Sequence, residues 1–203
     1  MATRLLLLRH ARVAAQYLGH MIGATDIPSE PLGESQTRAL AERVARWAPQ
    51  TCYCSPMQRC RQMASATASD LPPIIDPDLR EINFGQWETR TFAEVVGGDP
   101  ALMDRWARLS PDFAFPGGES VGDFLCRVRN AAERLVNAPA PTVLAVAHGG
   151  VIRTMICHLL GLDPRHYLAF DIGYSSLAVI DLFDGRGTLA ALERADRMEA
   201  AHG

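Results

Sequence analysis

Two histidines in this 203-residue chain each close a short apolar run: His10 follows Leu5-Leu6-Leu7-Leu8-Arg9, and His148 follows Thr142-Val143-Leu144-Ala145-Val146-Ala147. Gly149 and Gly150 come directly after the second histidine. A further basic group, Arg59, ends the segment Ser55-Pro56-Met57-Gln58-Arg59, just past the run Thr51-Cys52-Tyr53-Cys54. An imidazole is a competent nucleophile toward phosphorus when its attacking nitrogen is neutral and the other nitrogen is held as a donor, for instance by a backbone carbonyl. Guanidinium forks match phosphoryl oxygens, and phosphoryl transfer draws most of its rate from positioned cationic donors. The expected chemistry is attack of His10 on a phosphomonoester, with Arg9, Arg59 and His148 around the phosphoryl oxygens and no metal or cofactor required. An alkoxide leaving group needs a proton. Glu81, in Leu79-Arg80-Glu81-Ile82-Asn83-Phe84-Gly85, is the best-placed acid and could then serve as base for water. Glu88 is its rival.

Residues 3–8 read as a strand buried on both faces, and residues 51–54 and 142–147 as two more. Two last strands, over 174–183 and 188–192, are joined by the turn Asp184-Gly185-Arg186-Gly187. Leu40, Val44 and Trp47 predict a helix over 34–47. Ser55 as N-cap, Pro56 as first helical residue and Gln58 at the third position predict a helix start that puts Arg59 in its first turn. Val121, Phe124, Leu125, Val128, Ala132 and Leu135 give the clearest helical period, and residues 151–160 an apolar helix. Residues 70–118, rich in Pro, Gly and Asp, read as loops and small helices, one near 101–109, covering one end of the sheet. This alternation predicts a three-layer α/β/α sandwich with a mostly parallel central sheet. Ligand sites in such sheets form beyond the carboxyl ends of the strands, where both histidines fall. The helix starts after Ser55 and His148 add backbone N–H groups suited to an anion, that of Gly149 among them.

Hydrophobic residues make up 48% and charged residues 21% of the chain, the balance of a globular protein with a packed core. The length suits one domain, 1–197, with 86–118 as a substrate-covering insertion and a tail over 198–203. A net charge of −3 gives no global field for nucleic acid or an anionic membrane. The apolar run 5–8 is too short for a signal peptide or a membrane span. Five cysteines without CxxC spacing fit reduced thiols in the cytoplasm better than a disulfide framework or a zinc site.

Taken in order, Arg9-His10-Ala11, Ser55-Pro56-Met57-Gln58-Arg59, Glu81-Ile82-Asn83-Phe84-Gly85-Gln86-Trp87-Glu88 and His148-Gly149-Gly150 resemble the motifs of the histidine phosphatase superfamily, the phosphoglycerate mutase-like group. The resemblance runs to about Leu192 and implies that fold, with His10 as the phosphohistidine residue, Arg9, Arg59 and His148 as the phosphate pocket and Glu81 as proton donor. Two positions depart from the pattern. Ala11 replaces the usual Gly, and Arg12-Val13-Ala14-Ala15-Gln16 replaces a Glu-Thr-x-x-Asn segment, which leaves Arg12 and Gln16 as candidate substrate contacts. A mutase of this family carries additional basic residues in a longer middle segment, where this chain has only Arg90, Arg105 and Arg108. A phosphatase is favoured over a phosphoglycerate mutase-type phosphotransferase, and Tyr17-Leu18-Gly19-His20-Met21-Ile22-Gly23 is similar to the α-ribazole phosphatase subgroup. A catalytically weakened phospho-ligand-binding module and a metal-dependent hydrolase are the other readings. The expected partner is a small phosphomonoester, and a homodimer stays open.

Overall fold

A computed structural model of the chain describes residues 1–98, 100–184 and 186–194; the expected tail over 198–203 lies outside them. Strand β1 (Arg4–Arg9) buries Leu5 to Leu8 at 0–1% exposure, as an uninterrupted apolar run in a central strand requires. The other strands are β2 (Thr51–Cys54), β3 (Ile74–Ile75), β4 (Thr142–Ala147), β5 (Leu177–Phe183) and β6 (Arg186–Glu193). They form one six-stranded sheet in the order β3-β2-β4-β1-β5-β6, parallel from β3 to β1 and antiparallel through β5 and β6.

Successive strand residues point to opposite faces, and each face acquires its own helices. Leu5, Leu7, Val143 and Ala145 share a core with α5 (Val121–Val136) and α6 (Gly149–Leu159). Leu6, Leu8, Leu144, Val146, Cys52 and Cys54 share the other with α1 (Glu34–Ala45) and α2 (Gln58–Thr67). The expected three layers are present. The best-patterned helix, α5, starts where its Ser120 N-cap accepts the Asp123 N–H at 2.9 Å.

Local boundaries differ in instructive places. Helix α1 ends at Ala45 rather than 47, and the chain then turns through Ala48 at a φ of 46°. The helix after β2 does not start on a Ser55 cap: it begins at Gln58, whose N–H is accepted by Asp26 Oδ1 at 2.7 Å. Ser55 instead remains at the end of β2, fully buried, with its hydroxyl against His148. Helix α6 starts two residues earlier than expected, with His148 itself at the N-cap position.

Between β3 and α5 the short helices α3 (Phe92–Gly98) and α4 (Pro100–Ala107) lie over an aromatic cluster of Phe84, Trp87, Trp106, Phe113 and Phe115, with ring centroids 5.0–6.1 Å apart in edge-on or tilted contacts. Trp87, Trp106 and Phe113 thus pack against Phe115 and, for Trp106, Phe84.

Because β1 lies at the centre of both cores and β3 is an edge strand with Ile74 49% exposed, Leu7→Ala is expected to cost about 2–5 kcal/mol and Ile74→Ala under about 1 kcal/mol. Urea unfolding of the two variants checks this; equal losses would contradict the assignment of the core.

Candidate active site

Parallel pairing sets the centre of the site. Arg9 lies opposite Ala147 in the β1–β4 register and Cys54 opposite Val146 in the β2–β4 register, so the residues that follow, His10, His148 and Ser55, leave three adjacent strand ends together. The His10 and His148 rings are edge-on with centroids 5.1 Å apart, and Arg59 reaches them from the first turn of α2. These groups are buried: His10 is 5% exposed, Arg59 1% and His148 1%.

Hydrogen bonds fix both imidazole tautomers. His10 Nδ1 lies 2.7 Å from the Ala11 carbonyl, which can only accept, so Nδ1 carries the proton and Nε2 has a free lone pair. Arg59 Nε–H donates to His148 Nδ1 at 3.2 Å, which leaves the His148 proton on Nε2, 2.9 Å from the Ser55 hydroxyl oxygen. Burial, followed by the neighbouring charges of Arg9 and Arg59, holds the pKa of His10 well below its ordinary value. For His148 burial again leads, followed by the charge of Arg59. The Ala11 methyl is buried with Leu6 and Leu8 on the α1–α2 side of the sheet, and its φ is not in the left-handed region, so this position makes no demand for glycine.

The guanidiniums are held by main-chain carbonyls. Arg9 Nη1 donates to Ile172 O at 2.6 Å and its Cζ lies 4.1 Å from the Tyr174 ring centroid, while its buried Nε–H has no hydrogen-bond partner among the described residues. Arg59 Nη2 donates to Gly23 O at 2.7 Å and Nη1 to Thr25 O at 2.9 Å. At the start of α6, Gly150 N–H donates to Glu81 Oε2 at 2.9 Å, which brings the carboxylate to the same helix end. A Cβ on Gly150 would lie 2.5 Å from Glu81 Oε1, and one on Gly149 3.3 Å from Arg9 Cζ, so the two glycines make room for an acid and a base. Arg127 supports Glu81 from behind: it donates to the carbonyls of Asp78, Arg80 and Glu81 while pairing with Glu119.

The structure thus brings Arg9, His10, Arg59, Glu81, His148 and Gly149 together. Arg12 and Gln16 stand apart: their side chains are exposed, and among the described residues neither hydrogen-bonds this cluster. The rival acid, Glu88, is engaged with Gly23, Ala24, Thr25 and Phe84. Sequence reasoning missed Arg153. Its Nε–H donates to Phe170 O at 2.9 Å and its Nη1 lies beside Gly149, across from Arg9. The signal was available, since Arg153 follows Gly149 by four residues and must share its helix face. Ser55 was read as a cap when its hydroxyl serves His148. Among the described residues no three His, Cys, Asp or Glu side chains gather as a metal-ligating group. Two neutral imidazoles, three guanidiniums, a helix N-terminus and one carboxylate make a site able to hold a phosphoryl group and exchange protons beside it.

Known proteins of similar sequence and fold place the chain in a family. A bifunctional protein of Mycobacterium tuberculosis is 33% identical over 192 residues, covering 92% of this chain; the chain spans 52% of that protein's length. Phosphoserine phosphatase 1 of Hydrogenobacter thermophilus is 29% identical over 93% of this chain and 91% of its own. The crystal structure of the α-ribazole phosphatase from Shigella flexneri superposes with a TM-score of 0.83 at 27% identity, covering 95% of this chain and 96% of that one. The pattern of the histidine phosphatase superfamily (branch 1) matches residues 5–194, nearly the whole chain, and the protein belongs to that family.

Proposed function

We propose that the chain is a phosphomonoesterase that works through a phosphohistidine on His10. The observation that carries this reading is the 2.7 Å bond from His10 Nδ1–H to the Ala11 carbonyl, which leaves Nε2 unprotonated beside Arg9, Arg59 and His148. In the first step the Nε2 lone pair attacks phosphorus, the bond from phosphorus to the ester oxygen breaks, and Glu81 gives its proton to the departing alkoxide. In the second, Glu81 takes a proton from water, the hydroxide oxygen attacks phosphorus, and the P–N bond breaks to release inorganic phosphate. Arg9, Arg59 and the Gly149 N–H are the donors for charge on the equatorial oxygens, and His148, whose Nε2–H faces Ser55 and whose Nδ1 accepts from Arg59, lines the same phosphate pocket and holds Arg59 toward it. No step calls for a metal.

The segment 86–118, with α3, α4 and the aromatic cluster, is the cover that selects the leaving group. Likeness to the Shigella enzyme makes α-ribazole 5′-phosphate one candidate ester, and likeness to the Hydrogenobacter enzyme makes phosphoserine another. The five cysteines are unpaired and four of them buried, which supports a reducing, cytoplasmic setting.

With a panel of these esters and an aryl phosphate, wild type is expected to turn over at least one with chelator present, and His10→Ala to lose about a thousandfold or more in kcat/KM. Abolition by chelator would favour the metal-dependent reading. No turnover of any ester by wild type would favour a binding module.

Both histidines titrate below their unfolded value of 6.5, so below that pH the unfolded state binds more protons and the fold loses stability as pH falls. Long-range 1H–15N correlation at pH 6 is expected to show His10 neutral as the Nδ1–H tautomer and His148 neutral as the Nε2–H tautomer. A charged ring at either position overturns the assignment.

A further inference from the structure

We infer that Glu88 is the positioning residue that sets the Arg59 guanidinium, an inference that rests on Arg59 being a phosphate ligand as proposed above. Glu88 Oε1 accepts the N–H groups of Ala24 and Phe84, both at 2.9 Å. Its Oε2 accepts the N–H groups of Gly23 at 3.2 Å and Thr25 at 3.1 Å, and the Thr25 hydroxyl at 2.6 Å. One carboxylate therefore gathers three consecutive backbone donors into an anion-holding nest, with the anion supplied by the protein itself.

Wrapping residues 23–25 around the carboxylate fixes where their carbonyls point. Those of Gly23 and Thr25 are the two that accept from Arg59, one on each terminal nitrogen, while Nε–H goes to His148. A guanidinium has five N–H bonds. Three are thus committed, and the two that remain sit one on each terminal nitrogen, the pair able to grip two oxygens of one phosphoryl group. The loop closes this tightly only because residue 23 is glycine: a Cβ there would lie 1.9 Å from Ile82 O and 2.7 Å from Glu88 Oε1. Glu88 does not touch the histidines; it acts through Arg59.

A glutamine at this position offers one oxygen acceptor where two are used, and its NH2 group faces backbone donors, so the loop must open and release Arg59. The test is a double-mutant cycle on the full chain with Glu88→Gln, Arg59→Met and the pair, reading orthovanadate inhibition and kcat/KM for an aryl phosphate, with thermal melts alongside. In the wild-type background Glu88→Gln is expected to weaken vanadate inhibition and kcat/KM by about 10–50-fold, and in the Arg59→Met background by less than about 2-fold. A purely structural role lowers both backgrounds by the same factor, and that outcome overturns the inference. If Arg59→Met alone leaves vanadate affinity intact, the phosphate-ligand reading of Arg59 fails first. Should Glu88→Gln not fold, Thr25→Val removes only the hydroxyl bond and is read by the same cycle, with an expected loss of about 2–5-fold that disappears without Arg59.

Discussion

Burying positive charge without neutralising it is the constraint that shapes this molecule. Arg59 is 1% exposed, yet its direct hydrogen-bond partners are two main-chain carbonyls and a neutral imidazole. Arg9 and Arg153 are likewise held by the carbonyls of Ile172 and Phe170. Carbonyl dipoles offset part of the desolvation cost and keep the guanidiniums in place, but they do not cancel the charge. Burial first, and the same field after it, depress both histidines, so cations and neutral imidazoles coexist in one buried space. Such a space suits an anion, and forked donors around an imidazole match the geometry of a phosphoryl group.

The rest of the fold reads as a means of holding that arrangement. The parallel register of β1, β4 and β2 delivers three chain reversals to one place, and helices on both faces keep those strands dry. Two loop clamps then finish the alignment from outside the sheet. Arg127, paired with Glu119, fastens the carbonyls of residues 78, 80 and 81 and so aims Glu81; Glu88 fastens residues 23–25, whose carbonyls hold Arg59. Each clamp joins opposite charge to the main chain, where directionality is strongest. Glu119 and Glu88 therefore sit behind the site, and Glu81 is the acid at its edge.

What could be read from the sequence was what sequence-local physics encodes. Uninterrupted apolar runs ending in Arg9-His10 and in His148 gave two of the strand ends, and the period from Val121 to Leu135 gave α5. The cluster Arg9, His10, Arg59, Glu81, His148 and Gly149 followed from motif order and was found together in space. The misreadings of Ser55 and Glu88 share a cause, which is partners far apart in the chain. Ser55 has the chemistry of an N-cap, but the fold offers it His148, 93 residues on, and the vacant cap is filled by Asp26 from 32 residues before Gln58. Glu88 looked like a second acid because its five donors come from two loops that no local pattern joins. Arg153 went unnoticed because a basic residue on an apolar helix usually marks its solvated edge. Arg12 and Gln16 rest on position in a motif alone, and the structure adds only that both are exposed.

The proposed chemistry turns on a covalent bond between phosphorus and His10, which rapid-quench trapping can catch. Wild-type protein mixed with a turned-over ester, quenched in alkali to preserve phosphohistidine and digested, is expected to carry a phosphoryl adduct on the peptide holding His10 within the first turnover, decaying as phosphate is released. An adduct on any other residue, or steady turnover with no adduct at any time, would rule out His10 as the nucleophile.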